Sequence, residues 1–292
     1  MIRLSPEDNR VLERIHQINL ETLLEVDRIA ERHGVPYQLT FGGLLGAVRH
    51  KDFIPWDNDV DVMITREDFA RLKPFLEAEL DPVKYELVMP EDYGEKYLDM
   101  VPRVNYRLAD VHAFPPEQED YYDGKMNKIA LDFFFFDRVP KGIRGRIQVF
   151  RLMVLYGLLN SKRYAGNMGQ YPNLFYRAAA ATLRFLGKPF KTETLRNRVL
   201  KLATMYDHDP SVTTYRLTND TIHSFGIEMP GACMAETVRY PVGEYMFPGP
   251  AGADEFLTRW YGDYMTLPPE EEQVPHVFNR LLTADLFTFR ES

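Results

Sequence analysis

Apolar positions near the start of the chain recur at helical spacing: Leu12, Ile15, Leu23, Val26 and Ala30 fall on one face of a 3.6-residue period. Ser5 suits a cap, Pro6 the first turn, Asp8 the acid of a Ser-x-x-acid start, and Gly34 the end. A second helix is predicted from Thr65, with Asp68 three positions on, to Leu80. Strand-like runs fall near 37–41, 60–64, 84–89, 99–108 and 129–136. Beyond residue 140 the period is helical again, through Ile147, Phe150, Val154 and Leu158, then Phe175, Ala179, Leu183 and Leu186. The mixture predicts an α+β fold on a mixed sheet flanked by helices. Its core is expected from residues 1–139 and 205–292, with 140–204 as a helical basic subdomain.

Charge sharpens that division. Residues 138–201 hold 14 Lys or Arg and one acid, Glu193, a balance of +13, whereas the rest of the chain carries −21. A basic amphipathic helix favours an anionic membrane surface or a polyanionic partner. Its plainer reading is a solvated face on a packed subdomain. Nucleic acid is a poor partner, because the rest of the surface is acidic. The single cysteine, Cys233, forms no internal disulfide, which predicts a reducing cytoplasm. The first residues lack the apolar core of a secretion signal, and no apolar run is long enough to span a bilayer. The expected location is cytoplasmic, with a peripheral place on the inner membrane face.

Chemistry concentrates in residues 55–61, Pro-Trp-Asp-Asn-Asp-Val-Asp, just before the apolar run 62–64. Side chains two apart on an extended strand share a face, so Asp59 and Asp61 are expected to converge. Close carboxylates repel, and a hard divalent cation, Mg²⁺ or Mn²⁺, relieves them. A solvated Asp-x-Asp turn is the bland alternative. Three neighbours weigh against it. Residues 40–46, Thr-Phe-Gly-Gly-Leu-Leu-Gly, read as a glycine-rich turn that lets backbone approach a phosphate. Arg49, His50 and Lys51 are potential phosphate donors. Asp132 interrupts an apolar strand, where an isolated carboxylate needs a partner. A Gly-Gly turn, paired carboxylates on one strand and a third on its neighbour is the layout of a nucleotidyltransferase-type site.

Residues 42–51 followed by 53–63 resemble the LicD family, which includes bacterial phosphocholine transferases, and are similar to the matching segment of fukutin-related protein. Residues 260–269, Trp-Tyr-Gly-Asp-Tyr-Met-Thr-Leu-Pro-Pro, with His276 after them, look like the family's C-terminal signature. Asn58 departs from the family, where a third consecutive acid is common. The resemblance implies a nucleotidyltransferase-like fold and transfer of a phospho-alcohol group from a CDP-linked donor to a sugar hydroxyl of a glycan or lipid-linked saccharide, releasing CMP. It implies Asp59 and Asp61 as Mg²⁺ ligands, Asp57 as a further ligand or support, and Asp132 as a third ligand or general base. Gly42 and Gly43 would offer N–H groups to the diphosphate, which Arg49, His50 or Lys51 would neutralise. Trp56 would stack on cytosine or meet a choline-like cation, with a core aromatic as the equal alternative. Arg103 and Lys128 would face donor phosphates, His276 would serve as a phosphate-binding or catalytic imidazole, with a structural histidine as the alternative, and Tyr121 and Tyr122 would line a choline pocket, although surface loops carry tyrosines routinely. A solvated role suits Arg107 better.

Two other classes compete. A nucleotide-sugar glycosyltransferase explains Asp59 and Asp61 but not the pairing of Gly42 and Gly43 with Asp132. An inactive nucleotide- or glycan-binding relative would have little reason to keep clustered carboxylates.

Overall fold

A computed structural model describes residues 4–164, 173–220, 222–277 and 280–290. In chain order it begins with α1 (Pro6–Arg32), β1 (Gln38–Leu39), α2 (Phe41–Arg49), β2 (Val60–Met63), α3 (Arg66–Glu79), β3 (Tyr85–Val88), β4 (Arg103–Tyr106) and β5 (Ala109–Val111). Then come α4 (Pro116–Tyr121), β6 (Ile129–Phe134), β7 (Phe136–Arg138), α5 (Gly142–Leu159), α6 (Leu174–Gly187), α7 (Thr192–Ala203), β8 (Thr214–Leu217) and β9 (Met229–Pro230). The chain ends with α8 (Gly231–Met234), β10 (Thr237–Val242), β11 (Tyr245–Pro250), α9 (Ala253–Tyr261), β12 (His276–Val277), β13 (Arg280–Leu281) and β14 (Phe287–Phe289).

These elements fall into two compact units. The first comprises Met1–Val88, Pro102–Phe135 and Ala232–Ser292; the second comprises Met89–Val101 and Phe136–Gly231. The stretch 140–204 lies inside the second unit, which also takes in residues 205–231.

The first unit is built on a five-stranded sheet in the order β1-β2-β6-β4-β3. The β2–β6 pair is parallel and the others antiparallel, so the sheet is mixed, as the sequence pattern predicts. Alternation gives this sheet a dry face. Val60, Val62, Leu131, Phe133 and Val104 are all buried, so each contributes about 1.5–3 kcal/mol relative to exposure. α1 supplies Ile15, Ile18, Leu23, Val26 and Ile29 to the core. It starts where the sequence suggests: Ser5 and Asp8 form a reciprocal capping box, and Gly34 follows its end at φ +61°. α3 is capped by the Thr65 hydroxyl, which accepts from the Asp68 N–H.

One expectation fails here. Residues 40–46 are not a turn but the opening of α2. Leu44, Leu45 and Ala47 bury an apolar face, and that burial outweighs the modest helix cost of three glycines. Gly46 is required by close packing: a Cβ there would stand 2.6 Å from the Asp52 carbonyl oxygen and 2.9 Å from the Ile54 nitrogen.

In the second unit, β7, β8 and β9 form an antiparallel sheet. α5 and α7 share a core containing Leu152, Tyr156, Leu195 and Val199. Tyr156 donates its hydroxyl to the Thr218 carbonyl at 2.6 Å, and Gln148 donates to that of Leu202 at 2.8 Å. Thr192, at the start of α7, is fastened by its N–H to the Glu95 carboxylate and by its hydroxyl to the Glu95 carbonyl. No helix among the described residues is long and apolar enough to cross a membrane.

Candidate active site

Three adjacent strands bring three charged side chains into line. Asp61 on β2 stands opposite Asp132 on β6, and Asp132 stands opposite Arg103 on β4. Partners directly across a sheet project to the same face, here the one opposite the dry valines. The third carboxylate therefore lies beside the first stretch, as the layout requires. It is not bare. Arg103 donates to Asp132 from Nε at 3.0 Å and from Nη2 at 3.2 Å, a two-point clamp that fixes the carboxylate plane. Arg103 thus meets Asp132 in this structure, whereas the sequence reading pointed it at donor phosphates.

The remaining acids pair differently from expectation. β2 begins at Val60, so Asp59 precedes the strand, and its recorded partner is Asp57. Burial raises the Asp57 carboxyl above its usual range. Asp59 is held well above that range, first by the crowding of protein around it and then by the Asp57 charge. Asp59 nevertheless keeps solvent contact. The Asp57 carboxylate rests against the first turn of α2, because a Cβ on Gly42 would collide with its Oδ2. His16 on α1 bonds the Asp57 carbonyl at 2.7 Å and steadies the loop.

Gly42 and Gly43 lie in a helix's first turn, where N–H groups lack partners within the helix and favour anions. Phe41, just ahead, adopts φ +44°, a strained value for a bulky residue. Its ring is locked 4.4 Å from Trp260 and 5.0 Å from Phe134.

At the far end of α2, Arg49 donates from Nε to His50 Nε2 at 3.0 Å and from Nη1 to the Tyr264 carbonyl at 2.7 Å. Burial and the Arg49 charge push the His50 imidazole down, favouring its neutral form, so the cationic role belongs to Arg49. Trp56 packs edge-on to His50 at 5.8 Å. Lys51 is exposed and donates to the Val48 carbonyl.

The other candidates are engaged elsewhere. Lys128 pairs with Asp110, and His276 sits in the β12–β13 hairpin with its Nδ1 bonded to the Val274 carbonyl. Tyr122 is fully buried and so cannot line an open choline pocket. A cavity of about 350 Å³ bordered by Asp110, His112, Glu119 and Asp123 includes none of the candidates.

Tyr261, the last residue of α9, escaped the sequence reading. Burial raises its phenol far above the usual value, and Asp61, Asp57 and Asp59 all add to the shift while Arg49 opposes it. One hydroxyl thus feels all three acids of residues 57–61. Its surface is 42% exposed. The signal lay in Trp260-Tyr261-Gly262, where a tyrosine precedes the glycine that ends α9 at φ +72°.

Among the described residues no three His, Cys, Asp or Glu side chains stand close enough to hold a metal by themselves. The arrangement is the Asp57–Asp59 contact together with Asp61 and Asp132 at facing positions on β2 and β6. All-oxygen pairs without a full cage match a hard cation that takes one or two carboxylates and completes its shell with water and substrate oxygens. The Asp57–Asp59 pair, to which Asn58 donates its N–H, is the position such a cation would fit.

The family model for the LicD/FKTN/FKRP nucleotidyltransferase domain matches residues 34–137, spanning these four aspartates and Arg103. The chain carries a LicD-family domain. The resemblance read from residues 42–63 is thereby confirmed. The lipopolysaccharide cholinephosphotransferase LicD of Haemophilus influenzae is 24% identical over 256 residues, covering 85% of this chain and 89% of that protein. The ribitol 5-phosphate transferase FKRP of human and of mouse is 46% identical over 63 residues, 22% of this chain and 13% of theirs. The LicD domain matched by the family model ends at Asp137, so Tyr261 and His276 lie outside it.

Proposed function

We propose that the protein is a Mg²⁺-dependent transferase. It would move a phospho-alcohol group, phosphocholine or a close analogue, from a CDP-linked donor to a sugar hydroxyl of a cell-surface glycan or its lipid-linked precursor. The observation that carries this reading is the Asp61–Asp132–Arg103 line across β2, β6 and β4, beside the Asp57–Asp59 pair. The H. influenzae relative, a cholinephosphotransferase matched over most of both chains, supports this transferase class.

In the reaction, the acceptor oxygen forms a bond to the distal phosphorus while the bond from that phosphorus to the bridging oxygen breaks. CMP leaves with the bridging oxygen. A Mg²⁺ ion held by Asp57 and Asp59, with Asp61 beside it, would neutralise the diphosphate charge. The first turn of α2 and Arg49 offer N–H donors to the same oxygens. Asp132, oriented by Arg103, is the carboxylate to take the acceptor proton or to complete the ion's shell. Tyr261, protonated at neutral pH, can donate a hydrogen bond into the site.

The test is a panel of CDP-linked donors (choline, ethanolamine, glycerol, ribitol) offered with a glycan acceptor, with and without Mg²⁺. Mg²⁺-dependent CMP release with a new phosphodiester on the acceptor is expected. Sugar transfer from a nucleotide sugar, or no CMP from any donor, would overturn the reading.

A further inference from the structure

Helices α5 and α6 of the second unit are apolar on the wrong side for a water-surrounded protein. α5 buries Gly145, Gln148, Leu152, Tyr156 and Leu159, one stripe at i+3 and i+4 spacing. On the opposite side Ile143, Ile147, Phe150 and Val154 form a second stripe, with Ile143 69% and Phe150 65% exposed. Arg144, Arg146 and Arg151 flank it, all exposed. α6 repeats the pattern. Its one buried residue is Gly187, and Leu174, Ala178, Ala181 and Phe185 share a stripe, with Leu174 80% and Phe185 70% exposed. Phe175 and Leu186 lie beside that stripe, and Arg177 and Arg184 fall to its other side.

The helices already touch where they pack. A Cβ on Gly157 would collide with Leu183, and one on Gly187 with the Leu158 carbonyl oxygen. The open stripes are therefore surplus to the fold. Single exposed apolar residues are ordinary, whereas such stripes on two adjoining helices mark a surface with a partner.

Charge selects the partner. The stretch from Arg138 to Lys201 carries 14 bases against Glu193 alone. A second copy meeting this face would bring a second set of Arg144, Arg146, Arg151, Arg177 and Arg184 to it, which disfavours self-association. An anionic bilayer satisfies both halves at once, with acyl chains for the stripes and lipid phosphates for the arginines. With 14 residues, α6 would be about 21 Å long, short of the hydrocarbon thickness, so it would lie along the surface.

We propose that α5 and α6 form a monotopic docking face that seats the protein on an anionic membrane, with Ile143, Ile147, Phe150, Leu174, Phe175 and Phe185 entering the headgroup–acyl boundary. This placement is independent of the chemistry read in the first unit.

Sedimentation with vesicles of phosphatidylcholine alone and of phosphatidylcholine mixed with phosphatidylglycerol tests it. Wild type is expected to pellet with the mixed vesicles, less so at high salt. The variant Ile147→Asp/Phe150→Asp/Phe185→Asp is expected to bind at least about tenfold more weakly with a nearly unchanged melting temperature, because these side chains are more than half exposed. Arg144→Gln/Arg146→Gln/Arg151→Gln should lose the salt-sensitive part alone. As a second readout, Phe150→Cys carrying an environment-sensitive dye should shift to the blue on the mixed vesicles; Cys233 is buried and spared from labelling. Failure of wild type to pellet, equal binding by the triple-aspartate variant, or equal salt-insensitive binding to neutral vesicles would each overturn the proposal. So would a wild-type dimer that the triple-aspartate variant dissociates, since a second copy would then be the occupant.

Discussion

Two regions break the rule that charge faces water and apolar groups hide from it, and they break it in opposite directions. Around β2 of the mixed sheet, Asp57 and Asp59 are crowded together and Asp61 stands opposite Asp132. On α5 and α6, Phe150, Leu174 and Phe185 stand in water. Each arrangement is unfavourable by itself, the first through repulsion and desolvation, the second through apolar hydration. On the proposals above, each would be relieved by something outside the chain: a cation with a phosphate in one case, a lipid surface in the other. Local misfit thus maps the places where a binding partner belongs.

If the two regions serve different ends, damage to one should spare the other. The largest effect is expected from Asp61→Asn, which should cut CMP release by about 10³-fold or more while vesicle binding stays at the wild-type level. Parallel loss of both would show that the comparison is misdrawn and that the variant has simply misfolded. Next comes Arg103→Ala. It unclamps Asp132, and a drop of roughly 10–100-fold is expected, the usual cost of losing a group that orients a ligand or base. A wild-type rate in Arg103→Ala would remove Asp132 from the mechanism.

The glycines of α2 sharpen the contrast within the first unit. A methyl at Gly42 meets the movable end of the Asp57 side chain, so Gly42→Ala should lower activity roughly tenfold and leave the melting temperature nearly unchanged. A methyl at Gly46 meets backbone at Asp52 and Ile54, so Gly46→Ala should destabilise by about 1–3 kcal/mol. Thermal melts beside CMP assays separate the two, and the reverse pattern would contradict the role given to Asp57.

How far the sequence could be read follows from what each contact depends on. The ends of α1 and α3 were legible because caps are local: Ser5 with Asp8 and Thr65 with Asp68 lie within one turn. The acidic site was legible in composition but not in pairing. Spacing set Asp59 beside Asp61, yet β2 starts one residue later, and the partner of Asp61 comes from a strand about 70 residues away. α2 was mistaken for a turn because three glycines conceal an apolar face that only packing reveals. The β10–β11 hairpin was overlooked, although Gly243 at φ +58° marks its two-residue turn. Tyr261 could not be assigned locally, since its neighbours Asp57, Asp59, Asp61 and Arg49 are distant in sequence. The outward stripes on α5 and α6 had the same period as buried ones, and periodicity does not say which side is covered.

The smallest expected effect bears on the carboxylate pair alone. Both Asp57 and Asp59 have folded pKa values raised above the ordinary unfolded value of about 3.9. Their contribution to stability is therefore fully present below that value and is lost as pH rises through the raised folded values. The metal-free protein should melt at progressively lower temperature as pH climbs through this window, and Asp59→Asn should flatten the decline by removing one of the repelling charges. The effect should amount to a few degrees, since Asp59 keeps contact with solvent that screens it. Mg²⁺ should raise the wild-type melting temperature more above the window than below it, because the ion binds the ionised pair of the folded state, and should do so less in Asp59→Asn. Differential scanning calorimetry across pH, with and without Mg²⁺, reads all of this. Identical pH profiles for wild type and Asp59→Asn would mean that the two carboxylates do not burden each other, and the place given to the cation between them would have to be abandoned.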